Sequence, residues 1–178
     1  MKVKTMMIGL FAALSVWQAS AQVEEQDADA KYATELLKKG MLAPDFNLRN
    51  PDGKMLNFRE LAEGKYVVLD FWASWCPDCR RDIPHLQKMY QKFGGKGVEF
   101  IGVSFDTDKK IWKNAIRQYE IVYPQVSELK KLRETGIAKA YGIQWIPSMY
   151  LIGKDGKVLL ATVLSEKLEK ALTELFGE

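Results

Sequence analysis

Cys76 and Cys79 are the only cysteines in the 178-residue chain, and just two residues separate them. A disulfide at that spacing closes a ring too small to be a useful staple. The chain-entropy estimate is about 2 kcal/mol for so short a loop, against about 3 for one of fifteen residues. The pair therefore serves chemistry, either by exchanging a disulfide with another molecule or by holding a metal. A structural zinc needs about four ligands, and the sequence adds one histidine, His85, to the two thiols. Dithiol redox chemistry is the better reading. It calls for no cofactor and no metal beyond the redox-active disulfide Cys76–Cys79 itself.

The flanking residues place this pair at a junction. Tyr66 to Ala73 is an almost continuous apolar run rich in β-branched and aromatic side chains, as in a central strand buried on both faces. After the cysteines, Ile83, Leu86, Met89, Tyr90 and Phe93 recur at helical spacing up to Gly94-Gly95, which predicts an amphipathic helix. Cys76 then stands at a helix N-terminus, where unpaired N–H groups and the positive end of the helix dipole favour thiolate. Lowering a cysteine pKa from about 8.5 to about 7 raises its thiolate fraction at pH 7 from about 3% to about half. Cys76 is the expected nucleophile, and Cys79, one turn further in, the resolving thiol. Pro77 suits the first helical position, whose N–H has no partner in any case. Asp78 favours the helix start but opposes the thiolate next to it. Because a stabilised thiolate is what makes a strong oxidant, a moderately or strongly reducing couple is expected.

Two carboxylates are candidate proton carriers. Asp70 is a lone acid inside the apolar strand; burial should raise its pKa toward neutrality and fit it to deprotonate Cys79 through water. Asp82 follows Cys79 by one helical turn. The plainer readings are a solvated strand end for Asp70 and a surface ion pair with Arg80 or Arg81 for Asp82. His85 reads as a half-exposed helix residue rather than a base.

The other elements surround this unit. Ala43 to Phe58 turns at Pro51-Asp52-Gly53 and reads as a hairpin, followed by a short helix over 58–62 with Asn57 as N-cap. Val98 to Phe105 is a strand. Asp108 to Tyr119 is a helix with Ile111, Trp112, Ala115, Ile116 and Tyr119 on one face. A less regular stretch leads to a helix over 134–141. Ser148 to Ile152 and Lys157 to Val163 are strands joined through Lys154-Asp155-Gly156. A last helix starts at Ser165 and buries Leu168, Leu172, Leu175 and Phe176. This order predicts an α/β fold, a central mixed sheet with helices on both faces and an N-terminal β-hairpin extension.

Residues 1–21 read as a signal peptide: Lys2 and Lys4, an apolar run from Met6 to Trp17, and Ala19-Ser20-Ala21 before a cleavage point at Gln22. The run is too short to span a bilayer, so membrane anchoring is disfavoured and export is expected. Residues 22–40 form a polar leader, mobile as far as Lys31, and a short helix carrying Tyr32, Leu36 and Leu37. Residues 41–178 form the domain. Without residues 1–21 the chain has 24 basic and 23 acidic residues, a net charge of +1, which leaves no basic footprint for nucleic acid.

The segment Asp70-Phe71-Trp72-Ala73-Ser74-Trp75-Cys76-Pro77-Asp78-Cys79, with Pro84 in the following helix, resembles the active-site segment of the thioredoxin superfamily. Ala43-Pro44-Asp45-Phe46, the export segment and Gly142-Ile143-Gln144-Trp145-Ile146-Pro147-Ser148 resemble its exported TlpA/ResA-like branch, over roughly residues 40 to 178. The resemblance implies a thioredoxin-like fold and a thiol:disulfide oxidoreductase, a reductase of protein disulfides in the bacterial periplasm, some members of the branch serving cytochrome c maturation. It implies a membrane-embedded thiol-transfer reductase as electron donor, and we expect a monomer. It further implies that Ile146-Pro147 is a cis bond beside the dithiol, that the Ile146 backbone pairs with an extended substrate, and that Trp75, Pro77 and Trp145 line the rim. Asp70 matches the buried aspartate of thioredoxin, and Asp82 the acidic position of the exported branch. Pro77-Asp78 departs from the Gly-Pro of thioredoxin. The Ala43–Phe58 region also resembles peroxiredoxins, so a thiol peroxidase is the second reading, although Ala73 stands where those enzymes carry Thr or Ser. A thioredoxin-fold binding module without turnover is the third.

Overall fold

The computed structural model describes residues 28–177; the export segment, its cleavage point and most of the leader lie outside the described residues. Residues 28–32 form a first helical turn, α1. The hairpin follows as β1 (Asn47–Arg49) and β2 (Met55–Asn57), with Gly53 at a φ of +91° supplying the left-handed turn. Asn57 accepts the Glu60 N–H at 2.9 Å and so caps α2 (Phe58–Ala62).

The apolar run becomes β3 (Tyr66–Trp72), buried from Val67 to Trp72. It passes through four residues into α3 (Pro77–Phe93), which turns Cys79, Ile83, Leu86, Met89 and Phe93 inward. The chain returns as β4 (Val98–Ser104), parallel to β3 over seven residue pairs from Tyr66↔Val98 to Trp72↔Ser104. Asp108 caps α4 (Lys109–Gln118). Then come β5 (Gln125–Ser127), α5 (Gly136–Tyr141), β6 (Ser148–Ile152), β7 (Val158–Thr162) and α6 (Ser165–Phe176).

The seven strands form one mixed sheet in the order β2-β1-β5-β4-β3-β6-β7. β3, β4 and β5 are parallel, whereas β6 runs antiparallel to β3, β7 to β6, and β1 to β5. Helices cover both faces. On one, α3 packs beside α6 and the Tyr66 ring meets Phe176 edge-on at 5.1 Å; on the other, Phe71 meets Tyr141 of α5 and Tyr150 of β6. With β3 at the centre, the two faces join into one continuous core.

Several expectations are corrected. β5 lies in a stretch that reads as irregular, because three residues are too few for a strand period to show. Ile111 and Leu175 are exposed, each at the edge of its helix's apolar face. The helical turn near the N-terminus lies at 28–32, ahead of Leu36 and Leu37, and its residues are not a mobile leader: Asp29 accepts the Val163 N–H at 2.8 Å and the Thr162 hydroxyl at 2.9 Å.

Gly102 in β4 lies against the buried Gln125 amide, whose Oε1 accepts the Trp72 indole N–H at 2.9 Å; an added methyl would overlap that amide. Gly102→Ala is therefore expected to destabilise the fold by about 1–3 kcal/mol through overpacking and loss of the Trp72 bond. Urea unfolding with an unchanged midpoint would show that Gln125 yields freely.

Candidate active site

The end of β3 delivers the dithiol. Ala73 is buried, and Ser74 is held by Asp106, just beyond the end of β4. The Asp106 carboxylate accepts the Ser74 N–H at 3.1 Å, the Ser74 hydroxyl at 2.6 Å and the Ser104 hydroxyl at 2.8 Å. With its neighbour fixed, Trp75 projects outward, 58% exposed. Cys76 is the N-cap of α3, and its Sγ accepts the Cys79 N–H at 3.1 Å. The two sulfurs are joined as a disulfide, with the Cα atoms 5.3 Å apart. Cys76 is 4% exposed and Cys79 2%, so the outer thiol is only marginally the more open. Pro77 occupies the first helical position, and Pro84 inside α3 removes one backbone donor. Asp78 pairs with Arg81 one turn on.

Opposite the dithiol, the Ile146-Pro147 bond is cis. The Ile146 carbonyl oxygen lies 3.6 Å from Cys76 Sγ. In the disulfide form this is contact without a proton; a reduced Cys76 has an S–H to donate there. Trp145 is 40% exposed and stacks on Tyr32, with ring centroids 4.3 Å apart. Neither tryptophan is core packing. Trp75 and Trp145 instead flank the dithiol. A cleft of about 470 Å³ beside Pro147 and Trp145 is lined by Tyr32, Asp82, Ser165 and Glu166; another of about 540 Å³ lies between Trp75, Phe105 and Leu132.

Asp70 is fully enclosed. The Tyr123 hydroxyl donates to Oδ2 at 2.9 Å, and Oδ1 has no hydrogen-bond partner among the described residues. Burial raises its pKa to about 7; the Tyr123 bond pulls the other way, and the Asp82 charge adds to the rise. Asp82 is half-buried and does not read as a plain surface ion pair. Burial and then the Glu166 charge raise its pKa, against the Ser165 hydroxyl and the charges of His85 and Arg81. His85 packs between Ser165 Oγ at 3.2 Å and Glu169 at 2.8 Å, away from the sulfurs' first contacts. The described residues contain no cluster of three or more metal-ligating side chains.

Sequence reasoning missed Asp106, Tyr123, Ser165, Glu166 and Tyr32. Asp106 had a signal, an acid just past the carboxyl end of a strand parallel to β3, where sites gather in such sheets. The other four carry none, because each reaches the site through tertiary packing.

A buried strand feeding a helix-capped dithiol, set against a cis-proline loop in a mixed sheet, defines a thioredoxin-like thiol-disulfide oxidoreductase. Residues 40–161 match the AhpC/TSA family. The chain is 32% identical over 144 residues to thiol-disulfide oxidoreductase ResA from a strain of Bacillus cereus, covering 79% of this chain and 80% of that one. Among solved structures it is similar to a thiol:disulfide interchange protein from a Bacteroides species, with 29% identity, a TM-score of 0.72 and coverage of 80% and 92% of the two chains. It is also similar to the thioredoxin domain of a thiol-disulfide oxidoreductase from Bacteroides vulgatus, with 29% identity, a TM-score of 0.71 and coverage of 78% and 98%. The chain belongs to the AhpC/TSA family, within its ResA-like thiol-disulfide oxidoreductases.

The raised pKa of Asp70 makes a stability prediction. Its folded value of about 7 lies above the ordinary 3.8, so the folded state holds this proton more tightly. Its contribution is fully present below pH 4 and is lost as pH rises to about 7, an order-of-magnitude change of ~4 kcal/mol. Asp70→Asn, with no proton to lose, should gain on the wild type over that window. Urea unfolding of both proteins at intervals from pH 4 to 8 reads the difference, and equal slopes would mean that Asp70 ionises freely.

Proposed function

We propose that this oxidoreductase works as a reductase of protein disulfides outside the cytoplasm. Residues 1–21 act as its export signal, cleaved before Gln22, and the thioredoxin-like domain over 41–178 is released as a monomer into a bacterial periplasm. The observation that carries the proposal is Cys76 Sγ at the cap of α3, receiving the Cys79 N–H at 3.1 Å with the Ile146 carbonyl 3.6 Å away. A thiolate there is stabilised by backbone donors, and the adjacent Ile146 backbone offers bonds to an extended substrate.

The reduced enzyme attacks with the Cys76 thiolate. A bond forms to one substrate sulfur and the other substrate sulfur leaves as a thiolate. Cys79 then loses its proton and attacks Cys76 Sγ, closing the intramolecular disulfide and expelling the second substrate thiolate; two electrons have passed to the substrate. Asp70 and Asp82 are the acceptors of the Cys79 proton. The Asp82 charge that adds to the rise at Asp70 supports their acting together, as does a pKa for Asp70 close to the working pH. Trp75, Pro77, Trp145, Ile146 and Pro147 hold the substrate. Rereduction falls to a membrane-embedded thiol carrier, and an apocytochrome c awaiting its haem is the substrate that the family resemblance favours. The Asp78 charge beside Cys76 supports a reducing couple, tempered by its pairing with Arg81.

Cys79→Ser is expected to stall at the mixed disulfide and retain substrate covalently through Cys76. Non-reducing electrophoresis followed by mass spectrometry identifies the captured protein, and complete absence of adducts from exported proteins would contradict the reading. In single-turnover mixing, Asp70→Asn and Asp82→Asn should each slow resolution at least about tenfold between pH 6 and 9; a rate unchanged in both would remove them from the proton path.

A further inference from the structure

The segment 28–37 reaches the active site from outside the family match, which begins at residue 40. It is anchored at both ends. At one, the Asp29 carboxylate takes the Thr162 hydroxyl at 2.9 Å and the Val163 N–H at 2.8 Å, and pairs with Lys167. At the other, Leu36 is buried in the core and the Leu37 N–H donates to the Tyr150 hydroxyl at 2.9 Å. Between these anchors the segment touches the cis-proline loop twice. Tyr32 stacks on Trp145, with centroids 4.3 Å apart and planes inclined by 24°. The Glu35 carbonyl presses on Gly142, the residue with a φ of +66° that ends α5 and starts the loop; a Cβ at 142 would overlap that carbonyl oxygen.

Residues 142–147 have no strand or helix to hold them, and Trp145 is 40% exposed. An indole in such a position samples several rotamers, and ordering it when a substrate binds reduces affinity. The Tyr32 ring supplies that order in advance. Trp145 directly precedes Ile146, whose carbonyl lies 3.6 Å from Cys76 Sγ; a fixed indole therefore also fixes the start of the backbone edge that faces the sulfur.

We propose that residues 28–37 clamp the cis-proline loop for extended polypeptide substrates, with Tyr32 as the positioning residue for Trp145 and Asp29 as its anchor. This rests on the reading that the substrate is a protein disulfide. The exchange chemistry at the two sulfurs does not pass through the clamp. A small disulfide, which needs no backbone edge, is thus blind to it.

The test compares Tyr32→Ala, Tyr32→Phe and Asp29→Ala in the full chain, each checked for cooperative thermal unfolding, using insulin as the protein disulfide with dithiothreitol rereducing the enzyme, and, for the small disulfide, dithionitrobenzoate mixed with prereduced enzyme in a single turnover. Tyr32→Ala and Asp29→Ala are expected to raise KM for insulin about threefold to tenfold, the scale of a lost aromatic pair, with kcat little changed. Tyr32→Phe keeps the stack and should match the wild type, and no variant should alter the rate with dithionitrobenzoate. Trp145 emission, taken as the difference from Trp145→Phe, should shift to the red in Tyr32→Ala alone of the two Tyr32 variants. An unchanged KM in Tyr32→Ala, or an equal loss on both disulfides, would overturn the clamp while leaving the reductase intact. A wild-type chain that reacts with dithionitrobenzoate but never with insulin would overturn the protein-disulfide reading and the clamp together.

Discussion

A sulfur that must leave one partner and attack another needs a place where its anion is stable and its approach is open. The N-terminus of α3 supplies the first, because the unpaired N–H groups of a helix converge there, and no helical turn precedes the cap. Cys76 takes that place as the cap, with the Cys79 N–H pointing at its sulfur. The rest of the fold serves to keep it there. β3 has paired neighbours along its whole length, so the strand end cannot wander. Asp106 ties Ser74 from the neighbouring β4, and the cis-proline loop closes the opposite side. Loosening any of these would move the sulfur relative to the helix end, and the stabilisation of a thiolate by that end falls off within a single turn.

Three carboxylates stand under or beside the dithiol, and their surroundings assign them different work. Asp106 is buried but receives three donors, two from side-chain hydroxyls and one from the backbone, enough to compensate its charge. It is a brace. Among the described residues Asp70 receives a single donor, from Tyr123, and one oxygen is left unsatisfied, so that its ionised form is poorly supported near neutral pH. Asp82 lies between these cases, half-buried with a hydroxyl from Ser165 and the like charge of Glu166 close by. A fold seeking stability alone would fill position 70 with another apolar residue, since an unpaired buried acid costs more than it returns. Under the proposed reductase mechanism, its presence in the strand that leads to the dithiol is intelligible as a proton store for chemistry that releases and takes up protons at each exchange.

Much of this is legible in the residue order. Tyr66 to Ala73 reads as a buried strand because its apolar run is unbroken except at Asp70, and the residues from Ile83 to Phe93 read as a helix because their spacing admits little else. Asn57 and Asp108 announce helix starts by their capping chemistry, and both cap. β5 is illegible since three residues carry no period. Ile111 and Leu175 read as buried but are exposed, because a periodic stripe does not reveal how wide its contact with the core is. Asp70 can be singled out from sequence, whereas Tyr123, which meets it across 53 residues of chain, cannot. The acidic, polar composition around residues 22–31 suggests a free leader. A single carboxylate finding a strand end and a lysine more than 130 residues away is enough to seat Asp29.

The distribution of these features along the chain separates chemistry from selection. Two sulfurs at a helix end will exchange with any disulfide they can reach, and the driving force depends on potentials rather than on the shape of the partner. Discrimination must therefore come from contacts a substrate makes beyond the sulfurs. Two clefts beside the dithiol are available for them: the face of Trp75 toward Phe105 and Leu132, and the face of Trp145 toward Tyr32 and Pro147. The first is built wholly from residues inside the stretch matched by the AhpC/TSA family, residues 40–161. The second borrows Tyr32 from before it and Ser165 and Glu166 from after it. Chain outside the shared framework thus closes around one flank of a shared dithiol, where residues can vary without altering the two sulfurs or the helix end that holds them.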